Sequence, residues 1–342
     1  MLKDLKILEK LCSSYGISGD ETRIKDIILD EITPFATDLK VDNLGNIIAF
    51  KKGKCTPKKK IMLSAHMDEV GFIVTYVTDD GLLKFNTVGG INSNVVCGKS
   101  VVVGEKQIPG VIGLKPVHLL NSEERQKSIP IDDLYIDIGA SDREKALAYV
   151  SPGDSVCFSA NFKFENNMVK SKSIDDRVGC FILMNLIKQD LPFDMYFTFV
   201  AQEEIGLRGA KVAAFDVNPD VAIVVEATTA ADIKGTSPEK QVCKVGNGAV
   251  IAFMDKSTIY DKELYNLALK LAKENCIKLQ VKSLIAGGND SGAIHTSRAG
   301  VKTIAVSLPC RYLHTACGMI CADDIWETQK LVEKLAEKIC EE

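Results

Sequence analysis

Several absences narrow the chain before anything else does. No stretch approaches the ~18 consecutive apolar residues of a membrane span. Residues 1–11, Met-Leu-Lys-Asp-Leu-Lys-Ile-Leu-Glu-Lys-Leu, are charged throughout where a secretory leader would carry an apolar stretch. Basic excess is missing too: 42 Lys and Arg against 46 Asp and Glu leave a net charge of −4, without the electrostatic footprint of nucleic-acid binding. The paired C-x-x-C spacing of structural zinc sites does not occur. Cys310, Cys317 and Cys321 beside His314 therefore read as packed thiols rather than a soft-metal cluster. Gly98-Lys99-Ser100 lacks the upstream glycine of a phosphate loop, and no internal repeat stands out. An odd count of 11 cysteines without a secretion signal fits reduced thiols, so the expected location is cytoplasmic.

What is present is the composition of an ordinary folded protein, 46% hydrophobic and 26% charged, at a length of 342 residues that suggests about two domains. Ser18-Gly-Asp-Glu21 reads as a capping box opening a helix whose Ile24, Ile27, Ile28 and Ile32 share one face. A hairpin is expected around Val41–Ile48, with turn chemistry from Asn43 and Gly45, then a short apolar strand at 61–65 ending at His66. The lysines at 51, 52, 54 and 58–60 read as a solvated loop. From 68 to 165 short β-rich pieces alternate with glycine, which predicts a small β module, broken by a polar loop at 121–127. After 170, strands and helices alternate: a helix at 177–189, strands at 195–201, 221–225 and 249–254, and a helix at 261–275. A short helix near 291–299, a strand at 301–306 and a closing helix at 323–342 complete the pattern. Near-continuous apolar strands between helices predict an α/β sheet covered on both faces. Residues 1–67 and 166–342 are assigned to that α/β domain, and 68–165 to an insertion.

Chemistry-bearing residues recur where apolar strands stop. His66 and Asp68 follow one strand, Asp175 and Asp176 precede a helix, Glu203 and Glu204 end another strand, Glu226 ends a third, and His314 lies beyond a fourth. In open α/β sheets the ligand crevice lies outside the carboxyl ends of the strands. Each acid alone reads as an ordinary cap or helix-dipole partner. Together they supply the nitrogen and oxygen donors of a metal site, and adjacent acids become affordable when one is a ligand and the other moves protons. His118 and His295 fall in the β module and inside a helix, and carry no such expectation.

At these residues the chain resembles the tetrahedral, or TET, aminopeptidases, metal-dependent peptidases of the glutamyl and deblocking type, some of which have been labelled endoglucanases. The resemblance runs almost end to end. Its blocks are Ala65-His-Met-Asp-Glu-Val-Gly-Phe, Val88-Gly-Gly-Ile, Ile108-Pro-Gly-Val-Ile-Gly, Leu134-Tyr-Ile-Asp-Ile-Gly-Ala and Ile174-Asp-Asp-Arg-Val-Gly-Cys. It continues in Gln202-Glu-Glu-Ile-Gly-Leu-Arg-Gly-Ala, Gly287-Gly-Asn-Asp-Ser-Gly-Ala-Ile-His and Pro309-Cys-Arg-Tyr-Leu-His. It implies a mixed-sheet α/β/α metallopeptidase domain with an inserted PDZ-like dimerisation domain, and two divalent ions, zinc or cobalt, per subunit. His66, Asp175 and Glu226 would serve one ion and Glu204 with His314 the other, Asp175 bridging. Glu203 matches the general base and Asp68 the group that orients His66. The implied substrates are peptides with a free N-terminus, and the implied assembly is a homo-dodecamer built from dimers, with no nucleic acid or membrane partner.

Two positions depart from the family pattern. Glu226 stands where relatives often carry Asp, and Thr315-Ala-Cys-Gly-Met follows His314 where they usually carry Ser or Thr, Pro and an acid. Two other readings stay open at this level: another metal-dependent amidohydrolase, such as a deacylase or carboxypeptidase, or an assembly protein that has kept the scaffold without turnover.

Overall fold

The computed structural model describes residues 4–119 and 129–341; the loop expected at 121–127 lies outside them. Strands β1 (Asp38–Val41) and β2 (Ile47–Lys51) form the expected hairpin, and β3 (Ile61–His66) follows. Six strands come next: β4 (Gly71–Val77), β5 (Leu83–Val88), β6 (Ser100–Val103), β7 (Ile108–Gly113), β8 (Tyr135–Asp137) and β9 (Ser155–Phe158). They close into a barrel in the order β4-β5-β8-β7-β6-β9, around a core of its own centred on Phe72. That ring meets Phe85 and Phe158 edge-on at 5.1 and 5.3 Å. The β module read from glycine spacing is this barrel.

The chain then makes β10 (Lys163–Glu165), β11 (Met168–Ser171), β12 (Met195–Val200), β13 (Val221–Thr229), β14 (Ala249–Ile251), β15 (Leu279–Val281), β16 (Lys302–Cys310) and β17 (Gly318–Cys321). Among the described residues the main sheet has eight strands in the order β1-β2-β12-β3-β13-β16-β14-β15. The core of that sheet, β12-β3-β13-β16, is parallel, with antiparallel pairing at β2 and β14. The fold class is therefore the expected mixed α/β with a small inserted barrel.

Alternation along the strands feeds two helical layers. Ile61, Leu63 and Ala65 of β3, with Val221, Ile223 and Val225 of β13, face one core. Helices α1 (Lys6–Ser13), α2 (Thr22–Ile32) and α4 (Ile174–Ile187) pack there, as do α6 (Lys262–Glu274) and α8 (Ala322–Glu341); a short α3 (Arg143–Leu147) belongs to the barrel region. Met62, Ala222 and Val224 face the other core, against α5 (Arg208–Val217) and α7 (Ser291–Ile294). Gly209 at the start of α5 lets that helix approach β12 closely: a Cβ there would lie 2.3 Å from the Ala201 carbonyl.

Three local expectations need correction. Ser18-Gly-Asp-Glu21 is not a capping box; Glu21 is the N-cap of α2 and no side chain caps the helix. The Ser18 hydroxyl donates instead to the Asp68 carboxylate at 2.6 Å, a charge-assisted bond that outcompetes a neutral cap. Strand β12 stops at Val200, so Glu203 and Glu204 belong to the loop after it, where Gln202 takes a left-handed conformation at φ 59°. Strand β13 does not end at Glu226 but continues to Thr229, because β16 pairs with it as far as Thr229↔Cys310. No helix among the described residues is long and apolar enough to cross a membrane.

Candidate metal centre

The parallel strands bring their carboxyl ends to one edge. β3 delivers His66 beside Val200 of β12, whose following loop carries Glu203 and Glu204. On the other side β3 leaves β13 after the Ser64↔Val224 pair, so Glu226 two residues on is uncovered by that neighbour and points into the gap. Asp175 comes from the kinked first turn of α4, and His314 from the loop after β16.

Asp175 sits between the two imidazoles. Its Oδ1 lies 3.3 Å from His66 Nε2, and its Oδ2 lies 3.4 Å from His314 Nε2. Glu226 Oε1 stands 3.5 Å from His66 Nε2, and Glu204 Oε2 stands 3.3 Å from His314 Nε2. Two triads result, His66–Asp175–Glu226 and Asp175–Glu204–His314, sharing one carboxylate, and the ligand atoms within each lie within 4.8 Å of one another. His66, Glu203 and Glu204 form a third grouping by the same measure, with Glu203 Oε2 at 4.0 Å from His66 Nε2. The structure thus gathers all seven residues anticipated for the site, Asp68 included. Among the described residues no cysteine joins a cluster of metal-binding geometry.

The electrostatics show what such crowding costs. Burial, with the Asp175 charge adding to it and His66 opposing, raises Glu226 to about 8. Burial and Asp175 likewise raise Glu204 to about 7. Burial pushes Glu203 well above the usual carboxylate range, His66 opposing and Asp290, Glu226 and Glu204 reinforcing. Burial disfavours a charged His66, yet Glu226, Asp175, Asp68 and Glu203 more than reverse this and hold its pKa well above 6.5. Burial also opposes charge on His314, which Asp175 and Glu204 nonetheless raise to about 9. Crowded together, these carboxylates and imidazoles all hold protons more tightly than they would in water. Two imidazole nitrogens and three carboxylates, Asp175 shared between the two triads, form a donor set that fits divalent cations.

A supporting shell fixes these donors. Asp68 is fully buried; its Oδ1 accepts from the Glu203 amide at 3.0 Å and its Oδ2 from the Glu204 amide at 3.1 Å. Asp176 accepts from the His66 amide at 3.3 Å and the Gly179 amide at 3.0 Å, tying α4 to β3. The barrel contributes the Gly90 carbonyl, 3.0 Å from His314 Nδ1. Next to Asp68 in the chain, Glu69 accepts on both oxygens from the buried Lys172 ammonium, at 2.7 and 2.8 Å. Sequence reasoning read Ser18 and Glu21 as a helix cap and gave no place in the site to them, Gly90 or Asp290. Glu21 accepts from the Gln202 amide at 3.1 Å and so braces the loop of Glu203. Asp290 is fully buried, and neither of its carboxyl oxygens has a hydrogen-bond partner among the described residues. Its Gly-Gly-Asn-Asp-Ser-Gly setting was visible, but nothing in the residue type announced a place beside Glu203.

Residues 45–331 match the family described as M42 glutamyl aminopeptidase. The chain belongs to this M42 family. A putative aminopeptidase of Acetivibrio thermocellus is 40% identical over 98% of both chains. The lysyl aminopeptidase of Pyrococcus furiosus is 32% identical over 98% of this chain and 97% of its own. The solved TET1 peptidase of Pyrococcus horikoshii, described as assembling into a tetrahedron or a large octahedral shell, superposes with a TM-score of 0.86. It is 37% identical and covers 97% of this chain and 98% of its own. The resemblance to TET aminopeptidases holds, and the M42 chain is a peptide-bond hydrolase of the divalent-metal-dependent aminopeptidase class.

Proposed function

We propose that the M42 chain removes N-terminal residues from peptides at a dinuclear centre, with Glu203 moving the proton. The observation that carries this is the shared Asp175 carboxylate, whose two oxygens face two different imidazoles. His66, Asp175 and Glu226 would hold one divalent ion, zinc or cobalt, and Asp175, Glu204 and His314 the other. When bound, the two ions supply Lewis acidity toward the scissile carbonyl and toward the attacking water.

Glu203 takes the proton from that water and passes it to the leaving amine. A carboxylate whose buried setting raises its pKa suits both halves of that transfer. Asp68 keeps His66 in one orientation and holds the amides of Glu203 and Glu204 in place. The substrate's free amine pairs with Glu226, which limits cleavage to the first peptide bond. A cavity of about 240 Å³ opens from His66, Asp175, Glu203 and Glu226 and takes the side chain of the residue removed.

Residues 1–67 with 166–342 form the catalytic unit in this reading, and 68–165 an inserted PDZ-like unit for dimerisation. The separate core of the barrel supports that division. Assembly into a homo-dodecamer follows a 36% identical TET1 structure described as a dodecamer. Eleven unpaired thiols support a cytoplasmic setting.

The test is Glu203→Gln, assayed on aminoacyl-p-nitroanilides with bound metal quantified. A fall in kcat of about 10²–10⁴-fold at full metal content is expected for loss of a general base. Retained turnover in the metal-loaded variant sinks the role of Glu203. Faster cleavage of N-acylated than of free-amine substrates would replace the aminopeptidase reading with a deacylase.

A further inference from the structure

The two triads are braced by different parts of the molecule. His66 and Glu226 each belong to the first triad alone. Among the described residues, their hydrogen bonds and ion pairs come from outside Gly71–Phe158, the span of the barrel strands. Glu204 and His314 are absent from that triad, and both meet the turn that follows β5. Gly89 of the turn is left-handed at φ 84°, and a Cβ on it would lie 2.8 Å from Val70 Cγ1 and 3.3 Å from Glu204 Cβ. Gly90 sets its carbonyl 3.0 Å from His314 Nδ1, and a Cβ on it would touch the same nitrogen at 3.4 Å. The loop that carries His314 leans on the barrel again two residues later. Ala316 packs against the barrel core, as does Ile91 next to Gly90. The Ala316 carbonyl accepts from Asn161 Nδ2 at 2.8 Å, in the segment that leaves the barrel after β9. His314 itself is left-handed at φ 55°, a conformation that a residue other than glycine keeps where its surroundings impose it.

We propose that the inserted barrel, through Gly89, Gly90 and its hold on Ala316, is a positioning element for the ion of the Asp175–Glu204–His314 triad and not for the ion beside it. The inference rests on the dinuclear reading and gives the barrel a role inside the protomer, apart from dimerisation. The chemistry follows from what a carbonyl can do. It only accepts, so Nδ1 is the protonated nitrogen of His314 whenever Nε2 is free to coordinate, and the ring is turned with Nε2 toward Asp175 and Glu204. Packing does less of this for His314, whose side chain is 39% exposed, than for His66, whose side chain is 2% exposed and held by Asp68. Displacing the barrel would therefore shift two donors of one triad and neither His66 nor Glu226 of the other. The two ions become separable in affinity by changes made in the barrel, although they share Asp175.

The test titrates the full chain, stripped of metal by chelator, with zinc in a calorimeter. Anomalous scattering at the zinc edge, from crystals equilibrated at limiting zinc, assigns each ion to its triad. The wild type is expected to take two ions per chain. Gly90→Val drives a branched side chain into the space of the imidazole and weakens one ion about 10–100-fold, the scale of losing the group behind a ligating histidine. The anomalous signal then falls at Asp175–Glu204–His314 and stays at His66–Asp175–Glu226. Gly90→Ala, whose Cβ makes an ordinary contact with the ring, stays near wild type. Asn161→Asp keeps the oxygen that accepts from the Lys172 amide at 3.0 Å and loses the donor to Ala316. It weakens the same ion alone, to a lesser degree, and decides the matter if the Gly90→Val chain does not fold. Equal weakening of both ions overturns the proposal and reduces the barrel contact to general support of the fold. Unchanged affinity in Gly90→Val and Asn161→Asp, or selective loss at His66–Asp175–Glu226, overturns it as well, and in each case the dinuclear reading stands. A wild type that binds a single zinc per chain overturns the dinuclear reading instead, and this inference with it.

Discussion

Asp68 Oδ1 stands 3.4 Å from His66 Nδ1, with both side chains out of contact with solvent. The main-chain carbonyl of Asp68 lies 3.2 Å from the same nitrogen. His66 is thereby left to present Nε2 to Asp175 and Glu226. The same carboxylate accepts from the amides of Glu203 and Glu204, so one buried acid sets an imidazole on β3 and two acids on the loop after β12. Burial works against its ionisation, but His66, Ser18 and the Glu203 amide hold its pKa below the usual value.

Asp68→Asn keeps the size of the side chain and removes the charge that orients His66. Divalent-metal affinity is expected to weaken about 10–100-fold, the usual consequence of losing a carboxylate behind a ligating histidine. Calorimetric titration of metal-free protein with zinc measures it. Unchanged affinity would mean that the Asp68 carbonyl alone orients the imidazole.

Glu69, next to Asp68 in the chain, is buried with Lys172, and the Arg177 guanidinium stands 3.5 Å from the same carboxylate. Lys172→Met leaves Glu69 with a buried charge and is expected to lower stability by about 3–5 kcal/mol. The double change Lys172→Met with Glu69→Leu should recover little of that loss, since it strips the buried Arg177 of the carboxylate 3.5 Å away and leaves the Gly16 amide and the Ser173 hydroxyl without their acceptor. Urea unfolding of the metal-free chain measures both; a double variant as stable as the wild type would show that Lys172 and Glu69 form an isolated pair.

Metal-free protein should lose stability as pH rises. Glu204 and Glu226 have folded-state pKa values of about 7 and about 8, against 4.5 when unfolded, and His314 about 9 against 6.5. In each case the folded state binds the proton more tightly, so the stabilising contribution is complete below the unfolded value and is lost as pH climbs through the folded one. Asp175 shifts downward instead, and its contribution is already complete above pH 4. The sum is a Tm of the metal-free chain that falls between about pH 5 and pH 9. Bound cations replace those protons, so the gain in Tm on adding zinc should grow over the same range. Scanning calorimetry with and without chelator checks it, and a Tm rising with pH in chelator would contradict it.

Much of the α/β pattern could be read from the chain because each strand is a continuous apolar run bounded by turn residues. The hairpin, β3 and the helix of α6 capped by Asp261 appear where their local chemistry puts them. The candidate ligands were legible for the same reason, as polar residues interrupting apolar strands. What misled was chemistry that is local in sequence but satisfied at long range. Ser18 and Glu21 have capping-box spacing, yet their side chains serve Asp68 and the Gln202 amide. Glu203 and Glu204, read from the sequence as the end of a strand, lie in the loop beyond β12, where a left-handed Gln202 turns the chain and Glu203 faces His66 while Glu204 faces His314.

The sequence by itself determined the metal-binding residue types, the parallel strands that carry them to one edge and the separate β module, because periodicity and strand-end polarity are local properties. Tertiary structure alone decided which Asp175 oxygen faces which imidazole, the release of Glu226 from a β3 partner where that pairing stops at Ser64, and the meeting of Gly90 with His314 across the barrel boundary. Those relationships join residues tens to hundreds of positions apart, and no periodicity along a chain records where such segments meet.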